Sequence, residues 1–229
     1  MKTYSGIIKE LTLSCSDIKD KIPYITTYIS KMEMEEIICE VNQALQPDFC
    51  YTLYEQISLN ENSIRIGQTT LKCGHKIVSL LKGSQKIAVI SCTIGAQITE
   101  ICNAYTQNYD YMKAYICDIL ANAAIEKLTN HIKKALRHDP ENKGLSITSH
   151  FSPGYCEWNI EEQPLLLSLL PQEQCPVMLT SSCLMIPVKS ISGIIGIGKN
   201  VQYKESGCDL CRLPNCIYKK QVRHTQNEM

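Results

Sequence analysis

The sequence predicts an α+β fold in a single domain. Residues 86–92 (KIAVISC) are a continuous apolar run, hence a buried strand. Residues 96–136 carry the longest helical periodicity in the chain. Strand and helix signals mix without a strict βαβ rhythm, which disfavours a doubly wound sheet. The 229 residues are 44% apolar and 20% charged, enough to bury a core of that kind and too apolar for intrinsic disorder to be the main state.

Residues 1–30 are weakly patterned and receive no element. Over 31–45, Ile37, Ile38, Val41 and Leu45 recur at helical spacing and Pro47 lies just beyond, so a helix is expected there. FCYTLYEQISL (49–59) alternates loosely and reads as a strand. After the polar turn Asn60–Asn62, Ile64 and Ile66 give a second strand, hairpin-paired with the first. The spacing of Cys73, Ile77, Leu80 and Leu81 predicts a helix over 70–82, closed by Gly83 at a C-cap position. Within 96–136, Asn108 to Asp110 mark a break between two helices. The polar stretch 137–146, with Pro140 and Gly144, reads as a loop. A strand at 145–151, the turn SPGY, a helix near 160–170 and strands at 177–180 and 191–198 complete the reading. Asn159 with Glu162 has the spacing of a capping box. The organisation expected is a weakly patterned segment 1–30, a domain 31–217 and a polar tail 218–229.

Charge narrows the function classes. Lys+Arg and Asp+Glu are 23 each, so no net positive charge drives binding to nucleic acid. No apolar run reaches the ~18 residues of a membrane span, and the first residues lack the apolar core of a signal peptide. A cytoplasmic protein, with neither nucleic acid nor membrane as partner, is expected. The 13 cysteines are an odd number, so complete intramolecular pairing is impossible. Cys39, Cys92, Cys102, Cys117 and Cys183 stand singly in apolar surroundings and read as small hydrophobes.

Four constellations bear on chemistry. The first is HFSPGY, His150 to Tyr155: Pro153-Gly154 is a strong turn signal, and Tyr155 adds an aromatic face and a hydroxyl. From spacing alone it is an ordinary turn capping a strand. The second is Glu126, about 20° from Ile119 on an ideal helix and therefore beside the stripe of Ile116, Ile119 and Ala123. It is either a ligand contact or a boundary carboxylate whose head reaches water, and usual burial odds favour the latter. The third is Lys189 through Gly198, whose glycines match no phosphate-binding template and read as close backbone approach or a bulge in a strand. The fourth is C-x-x-C-x4-C at Cys208, Cys211 and Cys216, with Lys219 and Lys220 close behind. Zinc, an iron–sulfur cluster and free redox-labile thiols all suit that spacing.

Three blocks, taken together and in order, go further. They are CTIGAQI (92–98) leading to ICDILANAAIE (116–126), FSPGYCEWNIEEQ (151–163), and LTSSCLMIPVKSISGIIGIG (179–198). They resemble the activation (reactivation) domain of cobalamin-dependent methionine synthase, most closely its free-standing form in anaerobic bacteria, over roughly residues 32–217. The resemblance implies a C-shaped α+β domain around a twisted antiparallel sheet flanked by helices. It implies binding of S-adenosylmethionine near the P-G-Y turn and docking on a cobalamin-carrying domain. There, with an electron from a flavodoxin-type or ferredoxin-type donor, inactive cob(II)alamin is remethylated. On that basis the chain is a component of methionine synthase activity, in methionine biosynthesis, rather than a complete methyltransferase. Carried over by position, Gly154 and Tyr155 fall on the ligand turn, the Ser152 backbone runs along the ligand, and Glu126 falls on a helix carboxylate used at the ligand. His150 stands where the family has an arginine that holds the ligand's carboxylate. A neutral imidazole is a poorer anion partner than a bidentate guanidinium, so the resemblance leaves three readings: weaker affinity, another cation in its place, with Lys189 as the candidate, or drift from the family's role. A downstream tyrosine of the long family form matches Tyr203 loosely. The cysteine tail has no counterpart in the fused enzyme's domain and points to a metal that relays electrons. The alternatives are a redox activator of another corrinoid protein and a non-catalytic docking module.

Overall fold

The computed structural model describes residues 1–19, 21–22, 28–139 and 142–203. Its centre is a five-stranded sheet made from β1 (Lys2–Ile7), β2 (Asp48–Tyr54), β6 (Lys86–Thr93), β7 (Ser146–Phe151) and β10 (Ser190–Gly198), in the order β1-β2-β6-β10-β7. Every neighbouring pair in it is antiparallel. A second sheet joins β3 (Ile57–Leu59), β4 (Ile64–Ile66) and β5 (Thr69–Leu71), and β8 (Met178–Leu179) pairs with β9 (Met185–Ile186).

Helices cover both faces of the large sheet, and that explains β6. On one face, α1 (Lys31–Ala44), α3 (Gln97–Gln107) and α4 (Tyr111–His138) pack onto Ala88, Ile90 and Cys92 of β6 and Ile195 and Ile197 of β10. On the other, α2 (Gly74–Leu81), α5 (Gln163–Leu167) and the small sheet pack onto Ile87 and Val89 of β6 and Ile194 of β10. A strand with two covered faces cannot alternate in polarity, so residues 87–93 are all buried. Helices segregated around an antiparallel sheet make this the expected α+β domain.

α1 begins with a capping box, the Ser30 side chain accepting from Glu33 N–H while Glu33 receives from Ser30 N–H. The expected break at 108–110 separates α3 from α4, and the Asp110 side chain caps α4 by accepting from Lys113 N–H.

Some expectations are corrected. Segment 1–30 supplies β1, an edge strand whose half-exposed residues give no alternation for a sequence to show. The strand expected over 49–59 is two strands: β2 stays in the large sheet, and β3, not β2, makes the hairpin with β4. The helix expected over 70–82 starts only at Gly74, because Thr69–Leu71 pair with β4. Asn159 accepts from Glu161 N–H, and Glu162 reaches instead to Lys72 N–H at 2.8 Å, so there is no capping box. Cys39 is exposed, on the outward side of α1 from Ile37, Ile38 and Val41, and Cys102 and Cys183 are half-buried, whereas Cys92 and Cys117 are core residues. Among the described residues no helix is long and apolar enough to cross a membrane.

Candidate ligand site

The turn that ends β7 is held from two sides. Gly154 has φ +93°, open to glycine at no steric cost. Its N–H donates to Trp158 O at 2.7 Å, Tyr155 N–H donates to Ser152 O at 3.0 Å, and Trp158 N–H donates to Tyr155 O at 2.9 Å. Trp158 is 1% exposed in the core on the α2 and α5 side and anchors the turn to it. From the strand side, the Ser152 hydroxyl donates to the carbonyl of Ser192. Gly193 makes this close approach possible, since a Cβ there would lie 2.4 Å from the Phe151 carbonyl oxygen. The outer side is open: a Cβ on Gly154 would meet only Ile160 Cδ1, at 3.7 Å, and Tyr155 is 43% exposed.

His150 sits opposite Ile195 in the register, and directly paired residues share a sheet face. Ile195 belongs to the α4-side core, so the imidazole faces α4. Its ring centroid is 5.9 Å from that of Tyr155. Burial, with the charge of Lys133 on α4 as a second cause, pushes its pKa down to about 4. His150 Nε2 is buried and has no hydrogen-bond partner among the described residues. His150 is therefore neutral near pH 7.

The sign of the pH dependence follows. The folded state resists protonation below the ordinary value of 6.5, and the unfolded chain does not. Stability conferred by neutral His150 is therefore complete above pH 6.5 and is lost as pH falls toward about 4. At about 1.4 kcal/mol per pH unit this amounts to at most ~3 kcal/mol. Urea midpoints of the wild type are expected to fall more steeply between pH 7 and 4.5 than those of His150→Gln; parallel curves would remove His150 as the cause.

Glu126 lies on the surface. Its side chain is 62% exposed and its Oε2 is 2.7 Å from Lys21 Nζ. Its neighbours Ile125 and Leu128 take the core positions. This is the boundary carboxylate that burial odds favour, and an exposed one can still receive a ligand cation.

Lys189 does not reach His150. Its Nζ is 2.6 Å from Asp118 Oδ1 and 2.9 Å from Asn122 Oδ1, in the first half of α4. It is six residues before Ile195 on an extended strand, about 20 Å from the position opposite His150. The candidate substitute cation is thus committed elsewhere.

The cation near His150 is Lys133, which motif spacing does not reveal, and Arg137 stands beside it. Lys133 and Arg137 follow Glu126 by seven and eleven positions, within about 20° of it on the helix. Arg137 Cζ stacks 4.3 Å from the Tyr203 ring centroid, and Lys133 Nζ lies 5.8 Å from it. Burial first, then the charge of Arg137, lowers the pKa of Lys133. Lys133, Arg137 and Tyr203 also line a cleft of about 950 Å³ between α4 and residues 6–11. The helical stripe from Glu126 was the one available signal for these residues.

The structure therefore joins His150 to Tyr155 and to Lys133, and Lys133 to Arg137 and Tyr203. It leaves Lys189 apart. Cys208, Cys211 and Cys216 lie outside the described residues, and no group of three metal-ligating side chains occurs among the described ones.

Comparison with known proteins follows this geometry. The family model described as vitamin B12 dependent methionine synthase, activation domain, matches residues 68–208. A solved structure titled "Crystal Structure of the MetH Reactivation Domain bound to AdoHcy" is similar with a TM-score of 0.59 and 14% identity, over 99% of this chain and 86% of that one. No curated protein sequence matches.

Proposed function

Because the chain belongs to the vitamin B12-dependent methionine synthase activation-domain family, we propose that it binds S-adenosylmethionine at the 152–155 turn and thereby supports reactivation of a cobalamin-dependent methionine synthase. The bound AdoHcy of the similar solved domain is the demethylated form of the same molecule. When bound, S-adenosylmethionine supplies the methyl group for cobalamin carried on a partner domain, with an electron from a flavodoxin-type or ferredoxin-type donor.

The observation that carries this reading is the turn itself: Tyr155 stands 43% exposed beside a neutral imidazole on a rigidly anchored loop. The residues fit such a ligand. The Tyr155 face takes the adenine by stacking. Gly154 leaves space for close approach of the ligand to the backbone. Glu126 accepts the ligand's ammonium in competition with Lys21. Lys133 and Arg137 hold the carboxylate in place of the family's arginine, and a desolvated ammonium binds an anion more strongly than one in water. The protein's share of the reaction is position: it fixes the sulfonium carbon where a docked cobalt can reach it.

Calorimetric titration of the full chain with S-adenosylmethionine tests this. One site per chain is expected, with Tyr155→Ala weakening it roughly tenfold or more, as loss of one base–aromatic stack does. Unchanged affinity in a folded Tyr155→Ala protein would count against the turn as the site.

A further inference from the structure

The cleft between α4 and residues 6–11 has a volume of about 950 Å³, which suits a small organic molecule. Its charge is one-sided in a chain whose formal net charge is zero. Lys133, Lys134 and Arg137 line it from α4 and Lys9 from the other wall, with Glu10 the one carboxylate among its lining residues. None of these four cations makes an ion pair among the described residues. Lys127, also on the cleft, is already committed, its Nζ 3.0 Å from Asp17 Oδ1.

The cations are held together at a cost. Lys133 and Arg137 are four residues apart on α4 and lie over the same Tyr203 ring, at 5.8 and 4.3 Å from its centroid. Like charges at that helical spacing repel. The helix dipole favours Arg137, in the last turn of α4, but its effect does not extend back to Lys133. An anion between the two would offset the repulsion, and a cleft lined by one sign of charge concentrates such anions. The floor beneath is apolar. Ile7, Ile8 and Phe49 line it, and Ile7 stands 71% exposed at the end of β1.

We propose that this cleft binds a soluble organophosphate, with its phosphate on Lys133, Lys134 and Arg137 and its apolar body on Ile7, Ile8 and Phe49. A carboxylate carries one negative charge and is matched by one guanidinium. Several unpaired cations match a phosphate monoester, which is close to dianionic at neutral pH and takes the guanidinium fork on two oxygens. The apolar floor selects an ester over free phosphate, because only the ester has a body to bury there. The assignment stands without the reading of the 152–155 turn. Lys133 and Arg137 serve in both, so the two ligands compete, whereas Lys134, Lys9 and Ile7 belong to the cleft alone.

The test is calorimetric titration of the full chain with phenyl phosphate and, separately, with inorganic phosphate, in the absence of S-adenosylmethionine. One site per chain is expected, with phenyl phosphate bound roughly fivefold or more tightly than inorganic phosphate. Lys134→Glu is expected to weaken phenyl phosphate roughly tenfold. Ile7→Ser is expected to bring phenyl phosphate down to the affinity of inorganic phosphate and to leave the latter unchanged. Lys31→Glu makes the same change of charge at the start of α1, outside the cleft, and is expected to leave both affinities as they are. The proposal is overturned if neither ligand saturates, or if the wild type binds both equally, which would mean a site for free phosphate. It is also overturned if Lys31→Glu loses as much as Lys134→Glu, which would mean attraction by diffuse charge. The wild-type comparison of the two ligands needs no variant, so misfolding of a variant cannot decide the matter. Failure here leaves the S-adenosylmethionine titration and its Tyr155→Ala control standing on their own.

Discussion

Trp158→Ala is expected to lower the free energy of unfolding by about 3–5 kcal/mol, the range for truncating a fully buried indole. Trp158 is 1% exposed and packs in the core formed by α2, α5 and the small sheet. Its backbone also closes the ligand turn, through Gly154 N–H and Tyr155 O. Loss of the side chain therefore removes core contacts and the anchor of the turn together. Trp158→Phe separates the two kinds of contribution. The indole Nε1 is buried with no hydrogen-bond partner among the described residues, so the ring fills space and satisfies no acceptor. The phenylalanine variant keeps part of the ring and leaves a smaller cavity, so it is expected to lose about half of what the alanine variant loses. Urea unfolding followed by circular dichroism measures both. A Phe variant as unstable as the Ala variant would mean that the indole nitrogen has a partner after all.

Gly193→Ala is expected to cost about 3 kcal/mol, at the upper end of overpacking, and to weaken S-adenosylmethionine binding at least tenfold. The added Cβ would lie 2.4 Å from the Phe151 carbonyl oxygen and 2.9 Å from Ser152 Oγ. The first of these is backbone and cannot rotate away. β7 must therefore move off β10 at the point where the 152–155 turn begins, and the contact between the Ser152 hydroxyl and the Ser192 carbonyl is lost with it. Gly6→Ala is the matched control: its Cβ would come no closer than 3.8 Å, to the Phe49 ring. Equal affinity of the two variants, measured by calorimetry, would mean that the ligand does not depend on this turn.

The two glycine variants show what kind of information the sequence held. The glycines of 193–198 were legible as sites of close backbone approach or of a bulge, because a strand gives up side chains only where something else occupies the space or the ladder bends. What approaches Gly193 was not legible, since β7 is some forty residues away in the chain. The same division runs through the site. The turn at Pro153-Gly154 is local chemistry and stands where it was expected. The neutral state of His150 depends on burial under α4 and on Lys133, neither of which has a local signature.

The sequence by itself determined the buried strand β6, the helices α1, α3 and α4 with the break between the last two, and the family blocks in their order. Each rests on periodicity, a cap or a short motif within one segment. Tertiary structure alone decided the rest. It recruited residues 2–7 as an edge strand, because sheet hydrogen bonds need no apolar pattern. It withdrew residues 57–59 and 69–71 into a second sheet, where cross-strand pairing outweighs local propensity. It tied Lys189 to Asp118, brought Lys133 toward His150 instead, and gathered Arg137 and Tyr203 around Lys133. A charge on a long side chain finds its partner by proximity in space, and that proximity is set only when strands distant in sequence have taken their places beside one helix.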